Sequence, residues 1–441
     1  MMFRKETEIQ ETEIGEIPKD WKIERLGHLI NYVKGKKPKK LYDQKINENS
    51  LPYLTAEYMR GLEAPKWCNP EEDPNIIKVN SDDVIMIWDG SYAGHVFTGF
   101  NGALASTMIK IVPRNNNLNK KFMYYYLTIS FQRLRGTTIG TGVPHINKKI
   151  FEELYIPLPP SEEQKRIANI LSVVDRGIEI VDKVVAKLER MKRALLNELL
   201  TGRIRVREEN GKLTFYKETE FKDAEIGEIP KEWEVVSLED VSLTIRTGPF
   251  GSQLKKSELS ESGIKVYTQE NVLKNDFSLG NLYISYNKFE QLKNMEVKPG
   301  DVLLTIRGSI GYSAVFPEGA ERGIIHTNLA YIRVKIGLLS PKYLSLLINY
   351  HSSIKSQLIT LSSATTLGAL YAKNIKKIKI PLPPLHEQQK IVEILSMIDK
   401  AIELYRREKE RFLHLRRGLM GVLLTGKVRV VSDVRDVGVV V

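Results

Sequence analysis

Two groups of residues stand at spacings that chemistry could use. Gly421-Val-Leu-Leu-Thr-Gly426-Lys427 has the GxxxxGK spacing in which backbone N–H groups cradle a phosphate. Val428 stands where a Mg²⁺-holding Ser or Thr would follow, and the stretch closes a helical pattern instead of opening one, so the anion-binding helix start is missing. Glu296-Val-Lys298, with Asp276 upstream, has the ExK spacing of many nucleases. Lys-Pro-Gly follows it as an ordinary turn, and a chain that is 27% charged produces such triplets by chance. The seven histidines, His28, His95, His145, His326, His351, His386 and His414, have no partners at ligand spacing. Cys68 is the single cysteine and cannot make an internal disulfide; it reads as a small core residue of a protein in a reducing compartment, most simply the cytoplasm. No catalytic residue and no metal site are expected.

Such a chain is more naturally a binder, and its composition says of what. At 441 residues it should hold more than one domain, and 42% hydrophobic content suffices for buried cores. No apolar run reaches signal-peptide or membrane-spanning length. Lys and Arg number 66 against 54 for Asp and Glu, giving +12, which suits a polyanionic partner. The same balance would equally keep a soluble surface hydrated.

The elements that would position any binding residue are written twice. EIGEIPKDW at 13–21 returns as EIGEIPKEW at 225–233, an offset of 212. IPLPPSEEQKRIANILSVVDRGIE from Ile156 returns as IPLPPLHEQQKIVEILSMIDKAIE from Ile380, an offset of 224. Sliding 156–206 onto 380–430 needs no gap and leaves 22 identical positions. Between these conserved parts lie two diverged blocks, 22–155 and 234–379.

Each conserved block predicts a long helix. Pro159-Pro160 precedes it, Ser161 with Gln164 reads as a capping box, and Gly202 stands where a C-terminal cap belongs. Ile167, Val174, Val181, Leu188 and Leu195 form one heptad row, with Leu171, Ile178, Val185, Lys192 and Leu199 between them. In the second copy the rows are Ile391, Ile398, Tyr405, Phe412, Leu419 and Leu395, Ile402, Lys409, Arg416, Leu423, whose two cations must snorkel or pair. Two such stripes either bury each other, running antiparallel about a pseudo-two-fold axis, or lie separately on their own domains. The diverged blocks mix short β-like runs, VIMIW (84–88), MIKIV (108–112), VLLTI (302–306) and YIRVKI (331–336), with helical stretches at 121–134 and 342–358. LTAEYM (54–59) answers to YTQENV (267–272), DDVIMIWDGS (82–91) to GDVLLTIRGS (300–309), and TGVPHI (141–146) to TTLGAL (365–370).

Two diverged blocks, each opened by EIGEIPxxW and closed by IPLPPxxEQ and an LLTG-ended helix, resemble the specificity subunit of a type I DNA restriction–modification system, over about 13–430. The resemblance implies an α+β chain of two similar globular α/β target-recognition domains, joined by two long antiparallel coiled-coil helices in an internal pseudo-two-fold repeat. The boundaries would be 1–155 and 207–379 for the recognition domains, 156–206 and 380–430 for the spacer helices, and 431–441 for a tail. Each domain would read one half of a bipartite site in double-stranded DNA. The helices would set the spacing and dock two methyltransferase subunits that use S-adenosylmethionine, joined for cleavage by two restriction subunits that use ATP and Mg²⁺. The chain itself shows neither a Gly-rich cofactor loop nor an Asn/Asp-Pro-Pro-aromatic motif, its Pro-Pro pairs lying only in IPLPP. An enzyme with an unrecognised site, or a coiled-coil connector without DNA affinity, would be the alternatives.

Residues in the corresponding segments become candidates for base contact: Thr55, Glu57, Ser91, Thr141 and His145 in the first domain, and Thr268, Glu270, Arg307, Ser309 and Thr365 in the second. Each is equally explained by a turn or cap. Arg307 stands out because its fork suits guanine or phosphate, and its counterpart Asp89 carries the opposite charge.

Overall fold

A computed structural model describes residues 2–130, 144–363 and 368–431. Two compact units emerge: the residues up to Lys183 together with those from Arg406 onward, and Val184–Tyr405.

Each unit has the same two sheets. In unit 1 the strands Val96–Phe97, Val84–Ile87, Met108–Pro113 and Ile30–Lys34 form an antiparallel sheet in that order. In unit 2 the sheet runs, from the other edge, Ser242–Thr247, Leu329–Val334, Val302–Thr305 and Ser313–Val315. A second sheet is built round one parallel pair, Leu51–Leu54 with Gly102–Leu104 in unit 1 and Ile264–Tyr267 with Gly323–Ile325 in unit 2. The continuous apolar run VIMI is explained by burial on both faces, since successive strand side chains point to opposite sides. Val84 and Met86 join the core with Phe122 and the long helices, while Ile85 and Ile87 join the core of the second sheet. Val302 and Leu304 are divided from Leu303 in the same way.

The conserved markers meet each other. Lys22–Arg25, just after the first EIGEIPxxW, pairs antiparallel with Tyr155–Leu158, the start of IPLPP. Glu234–Ser237 pairs likewise with Lys379–Leu382. Each diverged block is thus tied at its root, which frees what lies between.

The long helices are Ser161–Leu200 and Leu385–Leu423, 40 and 39 residues. In unit 1 their packed parts run antiparallel: Asp175 pairs with Arg416 at 2.8 Å and Asp182 with Lys409 at 2.6 Å, so seven steps forward on one helix match seven back on the other. In unit 2 Lys192 pairs with Asp399 at 2.5 Å. All three seam cations are therefore paired. Ile167, Leu171, Val174 and Val181 are buried in unit 1, with Ile178, Phe412 and Leu419 half-buried; Ile391, Leu395, Ile398 and Ile402 are buried in unit 2, with Leu188 and Leu195 half-buried. Tyr405 is 38% exposed, so the second helix's apolar row breaks there.

Two expectations need correction. The segment 342–358 is not one helix: Pro341–Tyr350 and Ser352–Ser363 are separated at His351, whose ψ of 122° is extended. Nor does Gln164 close a capping box on Ser161. The Pro160 carbonyl accepts from the N–H groups of Glu163 and Gln164, and the Gln164 side chain is engaged elsewhere.

Candidate nucleic-acid interface and its frame

At the root of each unit lies a buried ionic clasp. In unit 1 the Arg429 guanidinium donates from Nε and Nη2 to both carboxylate oxygens of Glu163, at 2.8 and 2.7 Å. Its remaining N–H groups reach Glu6 at 2.7 Å and Asp20 at 2.8 and 2.9 Å, while Trp21 Nε1 donates to Glu163 at 3.2 Å. Unit 2 repeats the set. Arg205 donates to Glu387 at 2.6 and 2.9 Å, to Glu218 at 2.7 Å and to Glu232 at 3.0 Å, and Trp233 donates to Glu387 at 3.2 Å. One guanidinium against three carboxylates, two of its bonds in a parallel fork, is the geometry that holds a buried Arg charged. The carboxylates push both guanidinium pKa values up despite the opposing effect of burial.

The partners are exchanged between repeats: Glu163 begins the first long helix and Arg429 follows the second, whereas Glu387 begins the second and Arg205 follows the first. Gly426 and Gly202 make room for Pro18 and Pro230, with the indoles of Trp21 and Trp233 just beyond. Both glycines have positive φ, 72° and 70°, and an added Cβ would lie 2.3 Å from Pro18 and 2.4 Å from Pro230.

The neighbouring glutamine links this clasp to the diverged block. Gln164 donates to the carbonyls of Pro159 and Asn117 and accepts from Asn119 N–H, each within 2.9 Å. Gln388 repeats this with Pro383, Leu338 and Ser340. The pair of residues in IPLPPxxEQ therefore splits its work: Glu binds the clasp, Gln the turn before a helix of the recognition block. Sequence reading missed these roles, although Phe-x-Lys-Glu-Thr-Glu at 3–8 and 215–220 extended the repeat to Glu6 and Glu218.

The described candidate contact residues lie at helix starts, in turns or at an isolated β-bridge, at matching places. Thr55 caps the helix Ala56–Met59, its Oγ1 accepting from Tyr58 N–H at 3.1 Å, and Glu57 is exposed in the first turn. Thr268 caps Gln269–Lys274, and Glu270 pairs with Lys274 at 2.7 Å. Ser91 and His145 are exposed and brought near each other, because Asp89 bridges His145 and Gly90 N–H donates to the Pro144 carbonyl at 2.7 Å. Asp89 itself pairs with Lys34 at 2.8 Å. In unit 2 Arg307 donates to Thr327 Oγ1 at 3.2 Å, with exposed Ser309 in the same turn. Thr141 and Thr365 lie outside the described residues.

The other chemical candidates have structural employment. Glu296 binds Arg322 at 2.6 Å, and Lys298 N–H donates to Asp301 at 2.7 Å. Burial, and then the Asp73 carboxylate, push the Cys68 thiol up to about 11, far from a reactive thiolate. Among the described residues no three His, Cys, Asp or Glu cluster as metal ligands, and no helix is long and apolar enough to cross a membrane.

The family profile described as "Type I restriction modification DNA specificity domain" matches twice, at residues 18–190 and 230–412. The chain is 35% identical to the type I restriction enzyme MjaVIII specificity subunit of Methanocaldococcus jannaschii, over 98% of each. It is 25% identical to the EcoBI specificity subunit of Escherichia coli, over 80% of this chain and 71% of that one. In fold it resembles a type I restriction–modification S subunit from M. genitalium, with a TM-score of 0.56 and 16% identity over 92% of this chain and 96% of that one. Two matched domains, lying where the recognition blocks and long helices repeat, place the chain in the family of type I restriction–modification DNA specificity subunits.

Proposed function

We propose that the globular part of each unit reads one half of a bipartite double-stranded DNA site, while the paired helices set the gap and dock two methyltransferase subunits. The observation that carries this reading is the contrast within each repeat. The Arg–Glu–Trp clasp, the glutamine anchor and the antiparallel pairing of the marker strands recur at matched positions, while the loops at matched places carry different side chains, Asp89 against Arg307 above all. A reader must vary its base contacts and hold fixed whatever sets register and assembly. On this reading the recognition domains are 1–155 and 207–379, the helical blocks 156–206 and 380–430, and 431–441 a tail. Base contacts come from among Thr55, Glu57, Ser91, Thr141, His145, Thr268, Glu270, Arg307, Ser309 and Thr365. Methyl transfer belongs to the partners with S-adenosylmethionine; two restriction subunits with ATP and Mg²⁺ supply cleavage, all in the cytoplasm.

The spacer role is tested by adding four residues to each long helix at matched positions, a lengthening of about 6 Å. At about 3.4 Å per base pair the gap between half-sites should grow by one to two base pairs, with the half-site bases unchanged. Mapping modified adenines in cells carrying the lengthened chain reads this directly. An unchanged gap would refute the spacer role.

A further inference from the structure

The two recognition blocks share one scaffold closely enough to match single positions. Trp88 and Ile306 each donate from N–H to the carbonyl after the second-sheet strand, to Thr107 at 2.8 Å and Asn328 at 2.9 Å, and each accepts from the C-terminal segment, Ile146 and Leu370, at 3.0 Å. A Cβ added to Gly35 would lie 2.1 Å from the Ala105 carbonyl oxygen, and one added to Gly248 would lie 2.1 Å from that of His326. Thr55 and Thr268 cap the matching helices. These anchors equate Ala56 with Gln269, Asp89 with Arg307 and Ala105 with His326.

At these three positions the units differ in kind. In unit 1 Ala56 and Ala105 are buried in an apolar core and Asp89 is paired with Lys34. In unit 2 the same places hold an amide, a guanidinium and an imidazole. A Cβ on Gly308 would lie 3.4 Å from Gln269 Oε1, which sets that amide beside the Arg307 turn, and Arg307 is hydrogen-bonded to Thr327, next to His326. Gln269 Oε1, Arg307 Nε and His326 Nδ1 are all shielded from solvent without a hydrogen-bond partner. Burial, then the Arg307 charge, lower the His326 pKa, which leaves a neutral ring with one donor and one acceptor nitrogen. Folding gains nothing from hydrogen-bonding capacity left unused in a protein interior. Unit 1 shows that the scaffold closes with alanine at two of the positions.

Resting on the half-site reading above, we infer that Gln269, Arg307 and His326 are the base-reading set of unit 2 and take the major-groove edge of purines. Once these half-buried side chains turn their shielded atoms towards the groove on binding, Arg presents two donors to guanine O6 and N7, and a glutamine amide matches adenine N6 and N7. Unit 1, with alanine at two of these positions, reads its half-site with other side chains. An amide and a neutral imidazole are poor phosphate clamps, so the set specifies sequence and does not merely hold the backbone.

The test uses the complete methyltransferase complex and a pool of duplexes randomised over both half-sites, with a salt titration. Gln269→Ala and His326→Ala install what unit 1 already carries, so they keep the experiment decisive even if Arg307→Ala does not fold. Each should lower discrimination by about tenfold or more at one or two bases of one half-site. The other half-site and the salt slope should stay as in the parent. Arg307→Lys should also relax one base, because an ammonium lacks the fork. Affinity lost evenly over all sequences and restored by lysine would overturn the inference in favour of phosphate binding. Recognition unchanged in Gln269→Ala and His326→Ala would overturn it outright. A parent complex that selects no bipartite sequence would instead overturn the half-site reading itself.

Discussion

The two clasps match residue by residue except at Asp20, whose counterpart is Glu232, and they differ in connectivity. In unit 2 the strand bearing Arg205, Ile204–Glu209, turns at Asn210-Gly211 and returns as Lys212–Lys217 to deliver Glu218. Both turn residues have positive φ, 52° and 74°, as a two-residue hairpin requires. In unit 1 the matching ladder joins Met2–Lys5 to Val428–Val431, the two ends of the described chain, and brings Glu6 to Arg429. Six residues, 208–213, have no counterpart among the described residues of unit 1. A frame held by a guanidinium, three carboxylates and an indole does not need the loop, and that is why both versions close.

The largest test of this comparison removes the guanidinium. Arg429→Ala and Arg205→Ala should each cost about 3–5 kcal/mol in their own unit, because buried carboxylates lose their counter-charge. Arg429→Ala should do more, since among the described residues no hairpin turn ties Met2–Lys5 to Val428–Val431 as Asn210-Gly211 ties the strands of unit 2. Hydrogen exchange of Met2–Lys5 against Lys212–Lys217 should show the first strand released and the second only weakened. Opening the chain at Asn210–Gly211, and joining Val431 to Met2 through a copy of residues 208–213, should reverse that order.

Seam substitutions come next. Leu171 is wholly buried in unit 1 and Leu188 half-buried in unit 2. Leu171→Ala should cost about 2–5 kcal/mol and Leu188→Ala clearly less, by denaturant unfolding. Acid should then loosen both clasps. Burial raises the Glu6 carboxyl pKa, but the Glu8 N–H and Arg429 outweigh it; the Glu220 N–H and then Arg205 lower that of Glu218. Folded values below the ordinary 4.5 mean stability present above that pH and lost as pH falls through the folded values. Exchange of Met2–Lys5 should quicken at a higher pH than that of Lys212–Lys217.

The smallest effects belong to the seam ion pairs. Asp399, 53% exposed, pairs only at the surface with Lys192, whereas Asp175, 26% exposed, also accepts from Tyr125 at 2.6 Å. Asp399→Asn should cost about 0–1 kcal/mol and Asp175→Asn more.

Much of this was legible. Repeated motifs marked the two halves, and the heptad rows located the long helices because apolar period 3.5 survives divergence. That Lys409 and Arg416 would either snorkel or pair followed from their seam positions, and the structure decides for pairing. What stayed hidden was spatial. That Glu163 serves Arg429 and not the nearer Arg205 depends on which helix end meets which strand, and no local pattern encodes it. The break at His351 is likewise a single extended residue inside a helix-favouring run. Gln269 and His326 become conspicuous only against their counterparts in the other unit, Ala56 and Ala105.

The central claim is that one frame is used twice, with each unit reading its own half-site. Exchanging residues 22–155 for the matching block of another family member, and mapping modified adenines in cells that carry the hybrid with its partners, tests it most directly. One half of the modified sequence should change, with the other half and the gap retained. A change in both halves, or in neither, would contradict it.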